Sequence, residues 1–111
     1  PIAVVPAVEE ERGQMEYLVA GHCCESGDVL TPAPDNPEEL KTRLLTEARI
    51  GDGLVIGGCG AYCAAMPAKN YNSFPEAVEL LLAGDGTPHL VRRRQTLDQL
   101  LANELLPDAL A

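Results

Sequence analysis

The sequence contains no tryptophan, one phenylalanine and three tyrosines, although hydrophobic residues make up 46% of its 111 positions. This scarcity of aromatic side chains excludes an aromatic core, so the core is expected to be mainly aliphatic. A chain of this length fits one modest domain, which would bury roughly two-thirds of the surface that the unfolded chain exposes.

Basic residues are also scarce, since eight lysines and arginines stand against seventeen aspartates and glutamates and give a formal net charge of −9. The resulting field repels nucleic acid and anionic membrane surfaces, so neither is an expected partner. No apolar run approaches the ~20 residues that span a bilayer, and the start of the chain lacks a signal-peptide pattern. We therefore expect a cytoplasmic protein. Because the chain begins at Pro1 rather than methionine, we expect it to be part of a longer one.

Cysteine is limited to four residues, of which Cys23 and Cys24 are adjacent. A small secreted scaffold would be denser in cysteine, so we expect reduced thiols. Together with His22 these thiols offer soft metal ligands. However, neither the adjacent pair nor the three-residue gap between Cys59 and Cys63 matches the tight loops of a zinc site. No metal site is predicted.

Short segments with the β-branched and aliphatic composition of strands alternate with turn signals along the chain. Residues 2–8 and 14–22 flank a polar corner and predict one hairpin. Residues 51–59, "GDGLVIGGC", predict a buried strand. Residues 76–84 and 88–94 are joined by a glycine-rich turn and predict a second hairpin.

Two segments have helical signals instead. In residues 35–45, Asn36 can cap a short superficial helix. In residues 96–106, Thr96 and Gln99 have the spacing of a capping box ahead of a leucine stripe. The whole pattern predicts a mainly β domain with one or two short helices, arranged as a Greek-key sandwich or barrel.

The segment "HCCESGD", from His22 to Asp28, gathers most of the reactive chemistry. The thiol of Cys24 can act as an acid, or as a nucleophile if a nearby cation lowers its pKa, and Glu25 can bind an amino group. In an extended segment these two side chains point to opposite sides, so they share a site only if the backbone turns at Gly27. The alternative is that Cys23 and Cys24 are small buried hydrophobic residues.

Two tyrosine-containing segments are further candidates. Gly57, Gly58 and Gly60 allow close approach of a ligand, and Tyr62 can extend a hydroxyl group toward an anion such as phosphate. A glycine cluster beside a strand is more often a bulge or a bend. Tyr71 lies in the polar loop "NYN", which by itself is typical of a turn.

Four ordered motifs, between about Gly21 and Glu104, carry a family resemblance: "CESGDVL", "GDGLVIGGCGAY", "KNYNSFPEAVELLL" and "VRRRQTLDQLLANE". With them the chain resembles the C-terminal domain of the diaminopimelate decarboxylases, which are pyridoxal-phosphate enzymes of the alanine-racemase-like class. The resemblance implies that residues 1–111 form a single C-terminal β domain, with a Greek-key sandwich or barrel fold, of a two-domain enzyme whose (β/α)8 barrel is absent from this chain.

In such enzymes the barrel carries pyridoxal 5'-phosphate on a lysine, and two subunits pack head to tail so that each completes the other's active site. The resemblance therefore implies three partners: the enzyme's own N-terminal barrel, a second subunit and a small amino-acid substrate. The cofactor lysine is not expected in this chain. The isolated domain is accordingly expected to be inactive.

The resemblance also implies residue roles in the conversion of meso-diaminopimelate to L-lysine. Cys24 would be the catalytic thiol that faces the cofactor from the partner subunit. Glu25 would bind the distal amino group of the substrate. Tyr62 would lie near the cofactor phosphate and contact the substrate, and Tyr71 would line the pocket. The other three cysteines are assigned to packing and the core.

Two alternatives stay open at this stage. One is a decarboxylase of another basic amino acid or of a carboxylated polyamine, although glutamate rather than aspartate after Cys24 favours the diaminopimelate branch. The other is a non-catalytic interaction or dimerisation module that keeps the motifs for structural reasons.

Overall fold

The computed structural model describes residues 1–110 and consists mainly of short antiparallel strands. The strands are β1 (Ile2–Val5), β2 (Gln14–Tyr17), β3 (Arg43–Thr46), β4 (Gly53–Ile56), β5 (Glu79–Leu82) and β6 (Pro88–Arg92). The helical elements are α1 (Leu97–Leu101) and two 3-10 turns, Tyr71–Ser73 and Asp108–Leu110. The mainly β class predicted from the sequence is therefore confirmed. The chain divides into two compact units, the first from Pro1 to Ala65 and the second from Met66 onward.

The first unit contains two nested strand pairs. Strand β1 pairs with β4, so that Ile2 lies opposite Ile56 and Val5 opposite Gly53. Strand β2 pairs with β3, which follows it in the chain. The predicted hairpin between residues 2–8 and 14–22 is therefore wrong, because each of its arms pairs with a later strand.

A polar cluster around Asp52 explains this pairing. The carboxylate of Asp52 accepts hydrogen bonds from the backbone N–H of Ala7 at 2.8 Å and of Arg49 at 2.7 Å. It also forms an ion pair with Arg12 in which both side chains are nearly buried. The corner after β1 is thus fixed to the residues that lead into β4, and β2 is left to pair elsewhere. The hydrogen bond from Arg12, followed by those from the two backbone groups, lowers the pKa of Asp52 to about 2.

The helix predicted over residues 35–45 is wrong. The capping chemistry of Asn36 is present, since its side-chain oxygen accepts from the backbone N–H of Glu38 at 3.2 Å. The turn does not propagate, because Leu40 forms a bridge with Pro32 and the following residues enter β3. Pairing with β2 thus overrides a local helical preference.

The second unit confirms both elements predicted there. Strands β5 and β6 form the expected hairpin, and Gly86 takes a positive φ of 85° in the turn. Helix α1 begins after Thr96, which forms a complete capping box with Gln99. The helix ends at Leu101, and the predicted segment extended to residue 106.

Little of the described chain is deeply buried. Val19 is the buried hydrophobic residue and Thr31 the buried polar one, and the Thr31 hydroxyl accepts from the backbone N–H of Val19 at 3.1 Å. The residues of β4 are exposed, contrary to the prediction of a buried strand. Among the described residues β4 has one partner strand, so it is an edge strand. The described part of the chain contains no helix with the length and apolar character that a membrane crossing requires.

Candidate functional site

The reactive segment forms a closed loop, residues 21–28, at the end of a short antiparallel ribbon. Ala20 bridges Val29, and the backbone N–H of Gly21 donates to the carbonyl of Asp28 at 2.9 Å. The Asp28 carboxylate folds inward and accepts from the backbone N–H of Cys23 at 2.8 Å. Glycine at position 21 leaves room for that carboxylate, since a Cβ there would displace it from its hydrogen bond to Cys23. The ribbon holds the two ends of the loop, and Asp28 holds it at Cys23.

A turn over Ser26 and Gly27 follows Cys24 and Glu25 on this loop. The backbone N–H of Asp28 donates to the carbonyl of Glu25 at 3.1 Å, and the Gly27 N–H donates to the Glu25 carboxylate at 2.6 Å. The predicted turn at Gly27 is therefore present. Both Cys24 and Glu25 are exposed, so the thiol and the carboxylate of two consecutive residues are accessible at the surface.

The two adjacent thiols differ in environment. Cys23 is half-buried, and burial, with the nearby Asp28 carboxylate as the next cause, raises the pKa of its thiol. A raised pKa keeps the thiol protonated and unreactive, which agrees with a packing role. Cys24 is exposed, so the buried alternative is wrong for it.

The two later cysteines are also exposed, so the core role predicted for Cys59 and Cys63 is wrong. None of the four cysteines forms a disulfide in the part of the chain that the structure describes. Within residues 1–110 no group of three or more histidine, cysteine or acidic residues is arranged to bind a metal ion.

Tyr62 follows β4 on a turn that extends from residue 61 to residue 65. Its backbone has φ of 68°, in the left-handed region that bulky side chains rarely adopt. Its side chain is 73% exposed. A strained backbone that presents an exposed phenol is a feature that often marks functional positions.

Tyr71 belongs to the second unit, where it opens the 3-10 turn Tyr71–Ser73. It is flanked by Asn70 and Asn72, both of which have positive φ. Its side chain is 41% exposed. The structure therefore places Cys24 and Glu25 on one loop and Tyr62 on another segment of the same unit, and it assigns Tyr71 to the second unit.

A cavity of about 260 Å³ in the first unit is lined by residues of β1, β3 and β4 and by residues 17–20 at the end of β2. It is lined mainly by apolar side chains, including Val4, Leu18 and Leu54, and Arg49 and Asp52 contribute the charged groups. None of the predicted site residues lines it.

Two residues that organise these loops were missed from the sequence. Asp28 closes the Cys24 loop, and the Gly-Asp pair at positions 27 and 28 is a turn signal that could have indicated this role. Gln95 holds the Tyr71 loop from 25 residues away in the chain. No local pattern marks Gln95, since its partners are distant in sequence.

Comparison with protein-family models gives no match. Among curated proteins, the chain is 46% identical over 97 residues to the diaminopimelate decarboxylase of Escherichia coli, which is 87% of this chain and 22% of that protein. It is 45% identical over 91 residues to the enzyme of Buchnera aphidicola subsp. Baizongia pistaciae, which is 82% of this chain and 21% of that protein. It is 41% identical over 102 residues to the enzyme of Neisseria meningitidis, which is 91% of this chain and 22% of that protein.

Solved structures give the same answer. A crystal structure of diaminopimelate decarboxylase superposes with a TM-score of 0.79 at 42% identity, over 92% of this chain and 24% of that one. A second, from M. jannaschi, gives a TM-score of 0.77 at 29% identity, over 100% of this chain and 22% of that one.

These matches define the chain as a mainly β segment related to part of a much longer lyase. More particularly, the proteins that it resembles along most of its length are diaminopimelate decarboxylases, so the resemblance carried by the four motifs is confirmed. The chain spans about a fifth of the length of the curated relatives that it matches.

Proposed function

We propose that this chain is the C-terminal β domain of a pyridoxal-phosphate-dependent decarboxylase that converts meso-diaminopimelate to L-lysine. The observation that carries the proposal is the 46% identity over 97 residues to a diaminopimelate decarboxylase. An exposed turn that presents Cys24 beside Glu25 supports it. The domain alone is expected to be inactive, because it corresponds to only 22% of that relative.

The donor groups of this chain fit a shared pyridoxal phosphate site. Tyr62 offers an exposed phenolic hydroxyl to a phosphate oxygen. Gly58 and Gly60 precede Tyr62 in the chain and are surrounded by open space, since a Cβ at either position would meet no atom within 4 Å. By the family resemblance, the lysine that carries the cofactor belongs to the rest of the enzyme. When bound, pyridoxal phosphate supplies the electron sink for loss of carbon dioxide.

Cys24 is proposed to hold and deliver a proton. Loss of carbon dioxide leaves the substrate α-carbon in need of a proton, and a protonated thiol at an exposed loop tip can donate or position it. The half-buried Cys23 is unsuited to this task, because its backbone N–H and thiol face the Asp28 carboxylate. We therefore propose different roles for the two adjacent cysteines.

Glu25 is proposed to select the substrate. A carboxylate binds an ammonium group through charge-assisted hydrogen bonds, and meso-diaminopimelate carries a distal amino group that such a carboxylate can recognise. The Glu25 carboxylate is prepositioned, since it accepts from the Gly27 N–H at 2.6 Å and from the Ser26 hydroxyl at 3.3 Å. Tyr62 and Tyr71 are proposed to contact the same substrate.

The proposed assembly is a homodimer in which each Cys24 loop reaches the active site of the other subunit, and each chain is preceded by its own (β/α)8 barrel. A cytoplasmic location is part of the proposal. It is supported by four cysteines that form no disulfide among residues 1–110.

A non-catalytic docking module is a second candidate, because the β5–β6 hairpin carries exposed aliphatic side chains. Five of them are between 55% and 68% exposed: Leu80, Leu81, Leu82, Leu90 and Val91. Such a surface suits binding to another protein or domain. The same surface is compatible with the enzyme proposal, so variants at Cys24 and Glu25 must separate the two.

The proton role predicts that Cys24→Ala in the full-length protein lowers kcat by roughly 10²- to 10⁴-fold, the range typical of a lost general acid. The matched control is Cys23→Ala, which removes the adjacent thiol and should keep kcat within about threefold, since Cys23 has no proposed proton role. Steady-state decarboxylation of meso-diaminopimelate with added pyridoxal phosphate measures both. Equal, small effects for the two variants would favour the docking module.

The selection role predicts that Glu25→Gln raises KM for meso-diaminopimelate roughly tenfold to a hundredfold, because one charged hydrogen-bond partner is lost. Glu38→Gln, at an exposed turn in the same unit, is the control and should leave KM unchanged. A Glu25→Gln enzyme with wild-type KM would remove Glu25 from the substrate site.

A further inference from the structure

The loop that carries Tyr71, residues 69–76, has an unusual backbone. Three of its non-glycine residues have positive φ: Asn70 at 57°, Asn72 at 51° and Ser73 at 63°. Asparagine tolerates this left-handed region better than most residues, whereas serine has no such advantage. Consecutive residues in sparsely populated conformations persist only when surrounding contacts fix them. The loop must therefore be held from outside its own backbone.

One amide pair supplies these contacts. The Asn70 side-chain Nδ2 donates to the carbonyl of Phe74 at 3.2 Å, which ties the two ends of the turn together. The same nitrogen donates to Oε1 of Gln95 at 2.5 Å. Gln95 Oε1 also accepts from the backbone N–H of Glu76 at 3.0 Å, and the Gln95 N–H donates to the Glu76 carbonyl at 3.1 Å. Gln95 thus binds the loop at Asn70 and at Glu76, on either side of Tyr71.

A second contact across the loop base is an ion pair between Lys69 and Glu76 at 2.9 Å. Its lysine side chain is 50% exposed and its glutamate side chain 23% exposed. Water screens the lysine end, which limits the contribution of the pair to stability. Gln95 is half-buried, so its hydrogen bonds compete less with water. The amide pair therefore holds the loop at a less exposed position than the ion pair does.

We infer that Gln95 is a positioning residue for the amino-acid substrate: it holds the loop 69–76 in its left-handed conformation and thereby places Tyr71 in the substrate pocket. This inference rests on the proposed function, in which Tyr71 contacts the substrate. Gln95 acts through Asn70 and the Glu76 backbone. The expected consequence of losing its oxygen is weaker substrate binding, with the chemical step largely retained.

The test compares two substitutions of Gln95 in the full-length protein. Gln95→Leu keeps the approximate side-chain volume but removes the acceptor, whereas Gln95→Glu keeps an acceptor oxygen in the same place. Gln95→Leu should raise KM for meso-diaminopimelate roughly tenfold while kcat changes less than about threefold, as expected for two lost hydrogen bonds. Gln95→Glu should restore KM to within about threefold of wild type. Gln14→Leu, at an exposed position on β2, is the control and should leave both constants unchanged.

A second readout does not depend on activity. Hydrogen–deuterium exchange of peptides covering residues 69–76 should be faster in Gln95→Leu than in wild type, and unchanged in Gln14→Leu. Asn70→Gly supports the same test, because glycine keeps the left-handed conformation but lacks Nδ2. It should raise KM as Gln95→Leu does, and the double variant should be no worse than either single one.

The outcomes separate the inference from the proposed function. Wild-type KM in both Gln95→Leu and Asn70→Gly would overturn the positioning role, even if exchange of the loop became faster. If the full-length wild-type protein released no carbon dioxide from meso-diaminopimelate, the proposed function would fail. Hydrogen–deuterium exchange of residues 69–76 would then decide alone whether Gln95 holds the loop. If exchange were the same in Gln95→Leu and wild type, that role of Gln95 would be overturned as well.

Discussion

At the scale of single residues, the structure assigns contrasting properties to chemically identical groups. Cys23 and Cys24 are adjacent, yet one is half-buried against the Asp28 carboxylate and the other is exposed at a loop tip. Burial and a neighbouring negative charge both disfavour a thiolate, so Cys23 is suppressed as a reactive group. Burial, with the Asp28 carboxylate as the second cause, thus distinguishes Cys23 from its exposed neighbour.

The turn of this loop was predictable from the sequence, because the turn at Gly27 follows from signals between neighbours in the chain. The exposure of Cys24 was not, since composition left a buried and an exposed thiol as equal alternatives. The role of Gln95 was not predictable, since its side chain acts on residues about 20 to 25 positions earlier. The exposure of Cys59 and Cys63 was also missed, because the general tendency of cysteine to be buried says nothing about a particular turn.

A residue-scale prediction concerns Asp52, whose pKa is lowered to about 2, chiefly by the hydrogen bond from Arg12. Because the folded pKa lies below the ordinary value of about 3.9, ionised Asp52 stabilises the folded state above pH 4. This stabilisation is lost as the pH falls from about 4 to about 2. Far-UV circular dichroism of the 111-residue chain during urea unfolding at several pH values measures it.

In Asp52→Asn the stability should be lower at pH 7 and should fall less between pH 4 and pH 2. Asp35→Asn, at an exposed turn in the same unit, serves as the matched control and should keep the wild-type acid dependence. An unchanged acid dependence in Asp52→Asn would contradict the role given to the ion pair with Arg12.

At the scale of elements, local signals predicted structure well where strand partners are near in sequence. The β5–β6 hairpin and the start of α1 depend on a glycine turn and a capping box, and both are present. The pairing of β1 with β4 depends on Asp52, more than 40 residues after Ala7, so a prediction from neighbouring segments chose the wrong partner.

The helix predicted over residues 35–45 also shows that local signals do not predict long-range pairing. The cap at Asn36 forms as expected, but strand β3 begins at Arg43 and pairs with β2. Capping chemistry specifies a turn and not its continuation. Long-range pairing decided what followed.

An element-scale prediction concerns the cap of α1. Thr96 accepts from the Gln99 N–H at 3.2 Å, and Gln99 accepts from the Thr96 N–H at 3.0 Å. Thr96→Ala should destabilise this five-residue helix by about 1 kcal/mol, the typical cost of a lost cap. Hydrogen–deuterium exchange of residues 97–101 should then be roughly fivefold faster.

Two comparisons make this prediction specific. Thr96→Ser retains the accepting hydroxyl and should exchange almost as slowly as wild type. Thr42→Ala, at an exposed position outside the helices, should have no effect on this segment. Identical exchange in Thr96→Ala and wild type would show that the cap does not stabilise the helix.

At the scale of the whole molecule, the described residues bury little apolar surface. Val19 is their one buried hydrophobic residue, whereas Leu105 is 90% exposed and Ile50 is fully exposed. A chain that corresponds to 22% of its relatives is expected to be stabilised by the remaining part of such an enzyme. The sparse core is therefore consistent with the proposal that this chain is one domain of a larger enzyme.

In the proposed function, this chain completes an active site which it cannot form alone. The most direct measurement is release of carbon dioxide and lysine from meso-diaminopimelate, with pyridoxal phosphate present, by the full-length protein and by the isolated 111-residue chain. We expect lysine from the full-length protein and none from the isolated chain. Failure of the full-length protein to produce lysine, or turnover by the isolated chain, would contradict it.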